Sequence, residues 1–521
     1  MSPGESQDIE SATTNIQSQP DNKTRRYDRQ LRLWAATGQA ALESSRILVL
    51  SASATATSIL KNLVLPGIGH FTILDPHTAT PADAGVNFFL DGHASVGRPR
   101  AEEAVRLLAE LNDGVEGRAR VADPADVLNN DPAFFSAFSL VIAHNLRADA
   151  LARLAALLWA DPARAPLVVV RSAGFLAEFY IQYHEHDVIE SHAETAPSLR
   201  IDKPFPELLE YATSLDFDGM DPTDHGHIPY VVILVRALDA WKKSHDGLPP
   251  QSSAEKQAFK RSVLAMKTKP DEENFDEAAA QAYRAWTETT VPADTAALLR
   301  APGLAALTPA APVFQHLLSA LRQFALQPPH VLPLAAALPD MKADTAGYVR
   351  LQRLYKARAE HERAVFRGLV QIPVDDALVE RFVRNAHALR ALRGRRWGEL
   401  DRDPVALANA AAASPRETAT HIALSALEAH TAAQPDAPPT VEALRAHALA
   451  IAGDVALPPK ELEDALGEIA RAPTADLPNV AAFVGGLVAQ EAIKMVTKQY
   501  VPINGYCVVD LVDTWTGVIG P

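Results

Sequence analysis

Arg46–Leu50 reads RILVL, and the segments that follow it restrict the fold more than any other stretch of the chain. Four consecutive apolar residues in so short a run describe a strand buried on both faces. Residues 51–56 (SASATA) are small and polar and form a turn. Residues 57–65 (TSILKNLVL) have helical spacing and stop at Pro66 and Gly67. Residues 69–75 (GHFTILD) give a second strand. A strand, a helix and a strand joined by short connections bring the chain back in the same direction. The two strands are therefore parallel, with the helix covering them.

The alternation continues downstream. Residues 27–36 (YDRQLRLWAA) are helix-like, and helix 100–111 places Val105, Leu108 and Leu111 on one side. Strands are expected at 118–121, 139–144 and 166–171, a helix at 150–160, and an alternating stretch at 177–183. The reading is α/β, a doubly wound and mostly parallel sheet. From residue 204 to 464 the signals turn helical, at 230–243, 311–327, 346–369 and 376–392, with Pro-rich linkers at 327–333 and 434–439. Strand signals return at 506–513 and 516–519 after a long helix at 479–500. The expected organisation is a polar tail (1–24), the first part of an α/β domain (25–200), a large all-helical insert (201–470) and a last segment that rejoins the sheet (471–521).

Net charge is −15 over 521 residues, which argues against nucleic acid or an anionic membrane as the main partner. Residues 1–24 lack an apolar core and read as a disordered tail rather than a signal peptide. The best apolar run, 150–170, is broken by Arg153, Asp161 and Arg164, and Gln490, Glu491 and Lys494 speak against a span in the last helix. The single cysteine, Cys507, permits no internal disulfide and fits a reducing compartment, cytosol or nucleus.

A buried strand, tight turn and helix N-terminus are the parts of a phosphate cradle. Glycines let the backbone approach the anion, and free helix N–H groups bind it. Asp75 stands where an acid would hold a ribose, yet the turn contains no glycine, and no glycine in the chain is followed by lysine. Side chains at 51–56 stand where a phosphate would have to sit. The nucleotide function of this turn is read as lost.

Several segments resemble the ubiquitin-like-modifier-activating enzymes. They are YDRQLRLW at 27–34, KNLVLPGIG at 61–69 followed by 71–75, and DAGVNFFL at 83–90. Further along come LRIDKPFPEL at 199–208, DHGHIP at 224–229, DEENF at 271–275, LPDM at 338–341, AAFVGG at 481–486 and QEAIK at 490–494. The segments inside the helical region resemble the regulatory half of the neddylation branch. The opening motif is shared with related enzymes, including the sumoylation subunits. The resemblance implies a degenerate, Rossmann-like adenylation domain in an obligate heterodimer whose catalytic subunit holds ATP-Mg and the reactive thiol. It also implies contacts with the modifier and a conjugating enzyme. The three glycine positions of the family's turn fall on Ser51, Ala54 and Ala56, and no cofactor is expected on this chain. The family's second acid falls on His77, and Asn87, Phe88 and Phe89 replace its Asn-Arg-Gln, so a phosphate-binding arginine is missing. The helical insert has no cysteine to carry a thioester. Arg29 is the one catalytic candidate. The resemblance places it across the dimer, on the partner's ATP phosphates, the alternative being an interface ion pair. A sumoylation-type subunit, a stand-alone scaffold and a self-sufficient nucleotide enzyme are the competing readings.

The histidine pairs His184/His186 and His225/His227 have metal-ligand spacing but no evident further ligands, so no metal is expected. Arg384, Arg390, Arg393, Arg395, Arg396 and Trp397 form a basic run, either a solvated helix end or a surface for an acidic partner. Gly485 and Gly486 inside a helix imply close packing, and Cys507 in an apolar strand is read as a core residue.

Overall fold

The computed structural model describes residues 21–193 and 198–520 and divides into two compact units. Most of the expected tail lies outside the described residues. Its last part is not tail-like, because Asn22–Arg26 is a short helix capped by the Asp21 side chain on the Thr24 N–H (2.6 Å).

One unit, residues 19–188 and 391–521, contains the sheet. Helix α1 (Asp28–Ser44) runs well past residue 36, with a break where Trp34 and Ala35 leave helical geometry. Strand β1 (Arg46–Leu50) has the expected bounds, and α2 (Ala54–Val64) starts earlier than expected because Ser53 caps it, its Oγ accepting from the Ala56 N–H (3.1 Å). Then come β2 (His70–Leu74), α3 (Arg100–Ala109), β3 (Glu116–Arg120), β4 (Leu140–His144), α4 (Ala148–Trp159), β5 (Leu167–Ala173) and β6 (Leu176–Gln182). β6 was expected to alternate, but all seven of its residues are buried, since helices cover both faces. The short strand β7 (Glu185–Val188) closes this part.

The second unit, residues 189–390, is built around α5 (Tyr230–Ser244). Residues 230–235 are all buried, so the first turns of α5 are apolar all round and sit at the centre of this unit. Phe259, Phe275 and Tyr355 pack on it, the last from α6 (Thr345–Leu369). Inside this unit Arg200 forms a two-pronged pair with Glu362 (2.6 and 2.7 Å), both residues buried.

Strand β8 (Arg390–Arg393) marks the return. The helices that follow, α7 (Pro404–Ala413), α8 (Pro415–Ala433), α9 (Val441–Ala452) and α10 (Pro459–Arg471), were expected in the helical insert. They belong to the sheet unit: Leu407, Ile422, Leu444 and Leu466 share a core with Ala173 and Leu176 of β5 and β6. The helical unit thus ends near Arg390 rather than at residue 470. Helix α11 (Pro478–Thr497) and strands β9 (Tyr506–Asp510) and β10 (Trp515–Ile519) complete the sheet, in the order β10-β9-β6-β5-β4-β1-β2-β3. The five strands from β3 to β5 are parallel, while β6, β9 and β10 are antiparallel to their neighbours. The expected doubly wound α/β fold is present. Ile47 and Val49 face a layer containing α2 and α11, and Leu48 and Leu50 face a layer containing α4.

Helix α11 is long and apolar enough to cross a membrane by length and composition, but Val480, Val484, Val488 and Ala492 are core residues of the sheet unit. A Cβ on Gly485 would lie 2.5 Å from Ser58 Oγ and 2.8 Å from its Cβ. The α2–α11 contact is therefore the close approach that the paired glycines implied, and Gly485, not Gly486, makes it.

Candidate functional site: a closed phosphate cradle

The turn between β1 and α2 is packed with the chain's own side chains. Ser51 has φ 128°, a conformation suited to glycine. Beyond it, Ala52, Ala54, Thr55, Ala56 and Thr57 are buried. At the N-terminus of α2, where a phosphate would be held, the Asp476 carboxylate accepts from the Thr55 N–H (3.2 and 3.3 Å) and from Thr55 Oγ1 (2.6 Å). The positive end of α2 and its free N–H groups are thus satisfied by an internal anion.

Asp75 is equally committed. Its Oδ2 accepts from the Ala52 N–H (2.5 Å) and from Arg100 Nε (2.7 Å), and its Oδ1 accepts from the His77 N–H (2.8 Å). The acid that would face a ribose instead clamps the turn, and it is 1% exposed. Asn87 supports the other side, donating to the Ala52 carbonyl (3.0 Å) and accepting from Thr57 Oγ1 (2.9 Å). Beneath the turn, His144 Nδ1 meets Ser53 Oγ (2.7 Å) and its Nε2 meets Ser172 Oγ (2.9 Å). Burial holds this imidazole below the usual range, so it is neutral at neutral pH. Asp75 and Asp476 thus occupy N–H groups of the turn that a phosphate would otherwise meet.

Sequence reasoning found the glycine loss but not the groups that replaced the ligand. Asp476 is 421 residues from Thr55, so no local motif could have flagged it. His144 and Arg100 were likewise missed. The position opposite Asn87's clamp is also telling: Phe88, where the family's arginine would fall, is 83% exposed.

Arg29 lies on the first turn of α1, exposed, with no ion pair or hydrogen-bond partner among the described residues. Its helix is fixed by Tyr27, which is buried and whose Oη accepts from Asn112 Nδ2 (2.9 Å). Gly67, at φ 87°, leaves the space that Tyr27 Oη fills. Arg32 one turn on is spent on Asp28 (3.0 Å). A guanidinium held on an anchored helix and left unpaired is available to an anion outside the chain.

Cys507 is buried in β9, and burial, with Glu491 and Glu178 adding, pushes its thiol up to about 12. It cannot supply a thiolate near neutrality. Three of the four histidines in the two pairs have partners within the chain, while His186 is buried with its Nε2 unpartnered. His184 stacks on Trp159 and bonds its carbonyl (2.9 Å), His225 meets Glu272 (2.8 Å), and His227 meets the Thr223 carbonyl (2.6 Å).

Comparison with known proteins fits this geometry. The ThiF family model matches residues 27–514, starting at the tyrosine that anchors α1. The NEDD8-activating enzyme E1 regulatory subunit of Xenopus laevis is 35% identical over 516 residues, spanning 92% of this chain and 96% of its own length. This chain belongs to the ThiF family, among its NEDD8-activating enzyme E1 regulatory subunits. The Gallus gallus subunit is 34% identical (92% of this chain, 95% of its own), and the Arabidopsis thaliana subunit AXR1 31% (97% and 98%). The ThiF match runs from residue 27 to residue 514, across the sequence of both compact units.

Proposed function

We propose that this chain is the regulatory, non-catalytic subunit of a heterodimeric enzyme, of the cytosol or nucleus, that adenylates NEDD8 and loads it as a thioester on the catalytic subunit. The loaded modifier then passes to a conjugating enzyme. ATP-Mg and the reactive cysteine belong to the partner. The observation that carries this reading is the cradle: Asp476 and Asp75 take up the groups a nucleotide would need. The 35% identity to a regulatory subunit over nearly the whole chain supports it further. The exposed Phe88 and Leu33 and the unpaired Arg29 give such a subunit features to offer a partner.

Arg29 is proposed to reach the partner's ATP phosphates. Its charge is fixed at all working pH values and suits the charge that develops during adenylation. The decisive experiment is thioester formation by the catalytic subunit with and without this chain. Loading at full rate without it would sink the proposal. Arg29→Ala is expected to leave the heterodimer intact while slowing ATP–pyrophosphate exchange at least about tenfold, within the range for lost transition-state charge contacts. Unchanged exchange would remove the role in trans and leave Arg29 as an interface residue.

A further inference from the structure

The basic run near residue 390 is divided by the structure into paired and unpaired arginines. In the helical unit, Arg384 lies 3.9 Å from Glu190 and Arg390 2.9 Å from Asp294. In the sheet unit, Arg393 lies 3.7 Å from Glu185. Arg395, Arg396 and Arg402 have no ion pair among the described residues, in a chain where 64 acids outnumber 49 Lys and Arg. Arg395 and Arg402 are exposed. Arg396 is half-buried, and its Nε is closed off from water without an acceptor. A buried guanidinium N–H with no partner is unfavourable, and no acceptor of the chain offsets it.

The loop that carries them is anchored. Trp397 is buried beside Tyr180 and Tyr506, and its N–H donates to Gln182 Oε1 (2.9 Å). Tyr180 Oη donates to the Arg395 carbonyl (3.0 Å), and Gly398 turns the chain at φ 76°. The acids nearby do not neutralise the loop. Asp401 faces inward to His421 (2.6 Å) and Ser425 (2.8 Å), and Asp403 caps α7 through the Val405 and Ala406 N–H groups. Among residues 394–403 the exposed acids are Glu399 and Asp403, the latter held by its cap contacts. A fixed backbone removes the cost of ordering the loop from the cost of binding.

From this we infer that residues 395–402 are a docking loop for an acidic peptide segment of a partner protein, read by Arg395, Arg396 and Arg402. Carboxylates match the planar guanidinium fork, and a short acidic segment meets less repulsion from the overall charge of −15 than a long polyanion such as nucleic acid does. The test is fluorescence anisotropy of a labelled hexaglutamate peptide titrated with the full-length chain co-purified with its catalytic partner. Binding that weakens as salt rises is expected. The triple variant Arg395→Glu, Arg396→Glu, Arg402→Glu is expected to lose at least about tenfold in affinity. The double variant Arg395→Glu, Arg402→Glu alters exposed side chains alone and decides the matter should the triple variant melt early; it is expected to lose at least about threefold. Arg29→Ala is expected to bind like the parent. No binding by the parent, equal binding by the double variant, or tighter binding of an oligothymidylate of the same length overturns the inference.

Discussion

Ser51 holds a backbone conformation that its side chain disfavours and glycine would adopt freely. Ser51→Gly removes that strain and loses one bond, in which Ser51 Oγ accepts from the Ser53 N–H (3.1 Å). The expected net effect is a gain of about 1 kcal/mol, read from the urea midpoint, with no nucleotide binding gained. Asp476→Ala has the opposite sign. It strips the N-terminus of α2 of its internal anion and is expected to destabilise by about 1–2 kcal/mol. Inorganic phosphate should then raise the melting temperature of the variant and leave the parent unmoved; equal responses would mean that Asp476 does not occupy an anion seat. These two residues also mark what could be read from the sequence. The missing glycine at 51 was legible because a cradle's backbone demand is local. The carboxylate at 476 was not, because a contact made across 421 residues leaves no pattern in either neighbourhood.

At the scale of elements, the strands were the most readable. β1 has the expected bounds because four apolar residues between a helix and a polar turn admit one conformation. The region of α7 to α10 was read as helical, without individual helices, and assigned to the wrong unit. Helical periodicity records that one face is buried but not what buries it, and here β5 and β6 supply the surface. The α2–α11 crossing shows the converse, since the glycine pair announced close packing before the partner was known. Gly485→Val should prise that crossing apart: its Cβ would sit 2.5 Å from Ser58 Oγ and 3.0 Å from the Ser58 backbone carbon. A loss of about 1–3 kcal/mol in urea unfolding is expected, while Gly486→Ala, which meets nothing within 4 Å, is expected to be neutral or stabilising.

For the molecule as a whole, the sheet unit is tied together by a buried charge network. Arg171 of β5 bonds Glu178 of β6 and Glu428 of α8 (2.8 Å), and His421 of α8 bridges Glu178 (2.8 Å) and Asp401 (2.6 Å). Burial disfavours the imidazolium, but Glu178 and Asp401 outweigh it and hold His421 up at about 9. Burial likewise raises Asp401, while His421 and Arg171 outweigh it and bring it to about 2. A group whose folded value is raised stabilises fully below its unfolded value, about 6.5, and loses that stabilisation as pH climbs through 9. The depressed Asp401 acts in reverse, contributing above about 4 and failing as pH falls through 2. Stability from this network is therefore expected to be greatest between about pH 4 and 6.5 and to decline on the alkaline side, by on the order of 3 kcal/mol for His421. His421→Leu should flatten the alkaline limb of a melting-temperature profile; an unchanged limb would assign the decline to other groups. The closed cradle also bears on pharmacology. In the heterodimer proposed above, with ATP on the catalytic subunit, each subunit would offer one adenylation fold where an adenosine mimic could lodge. With Asp476 and Asp75 seated in this copy, such a compound should titrate the heterodimer at one equivalent, and competition with ATP should be complete at that single equivalent.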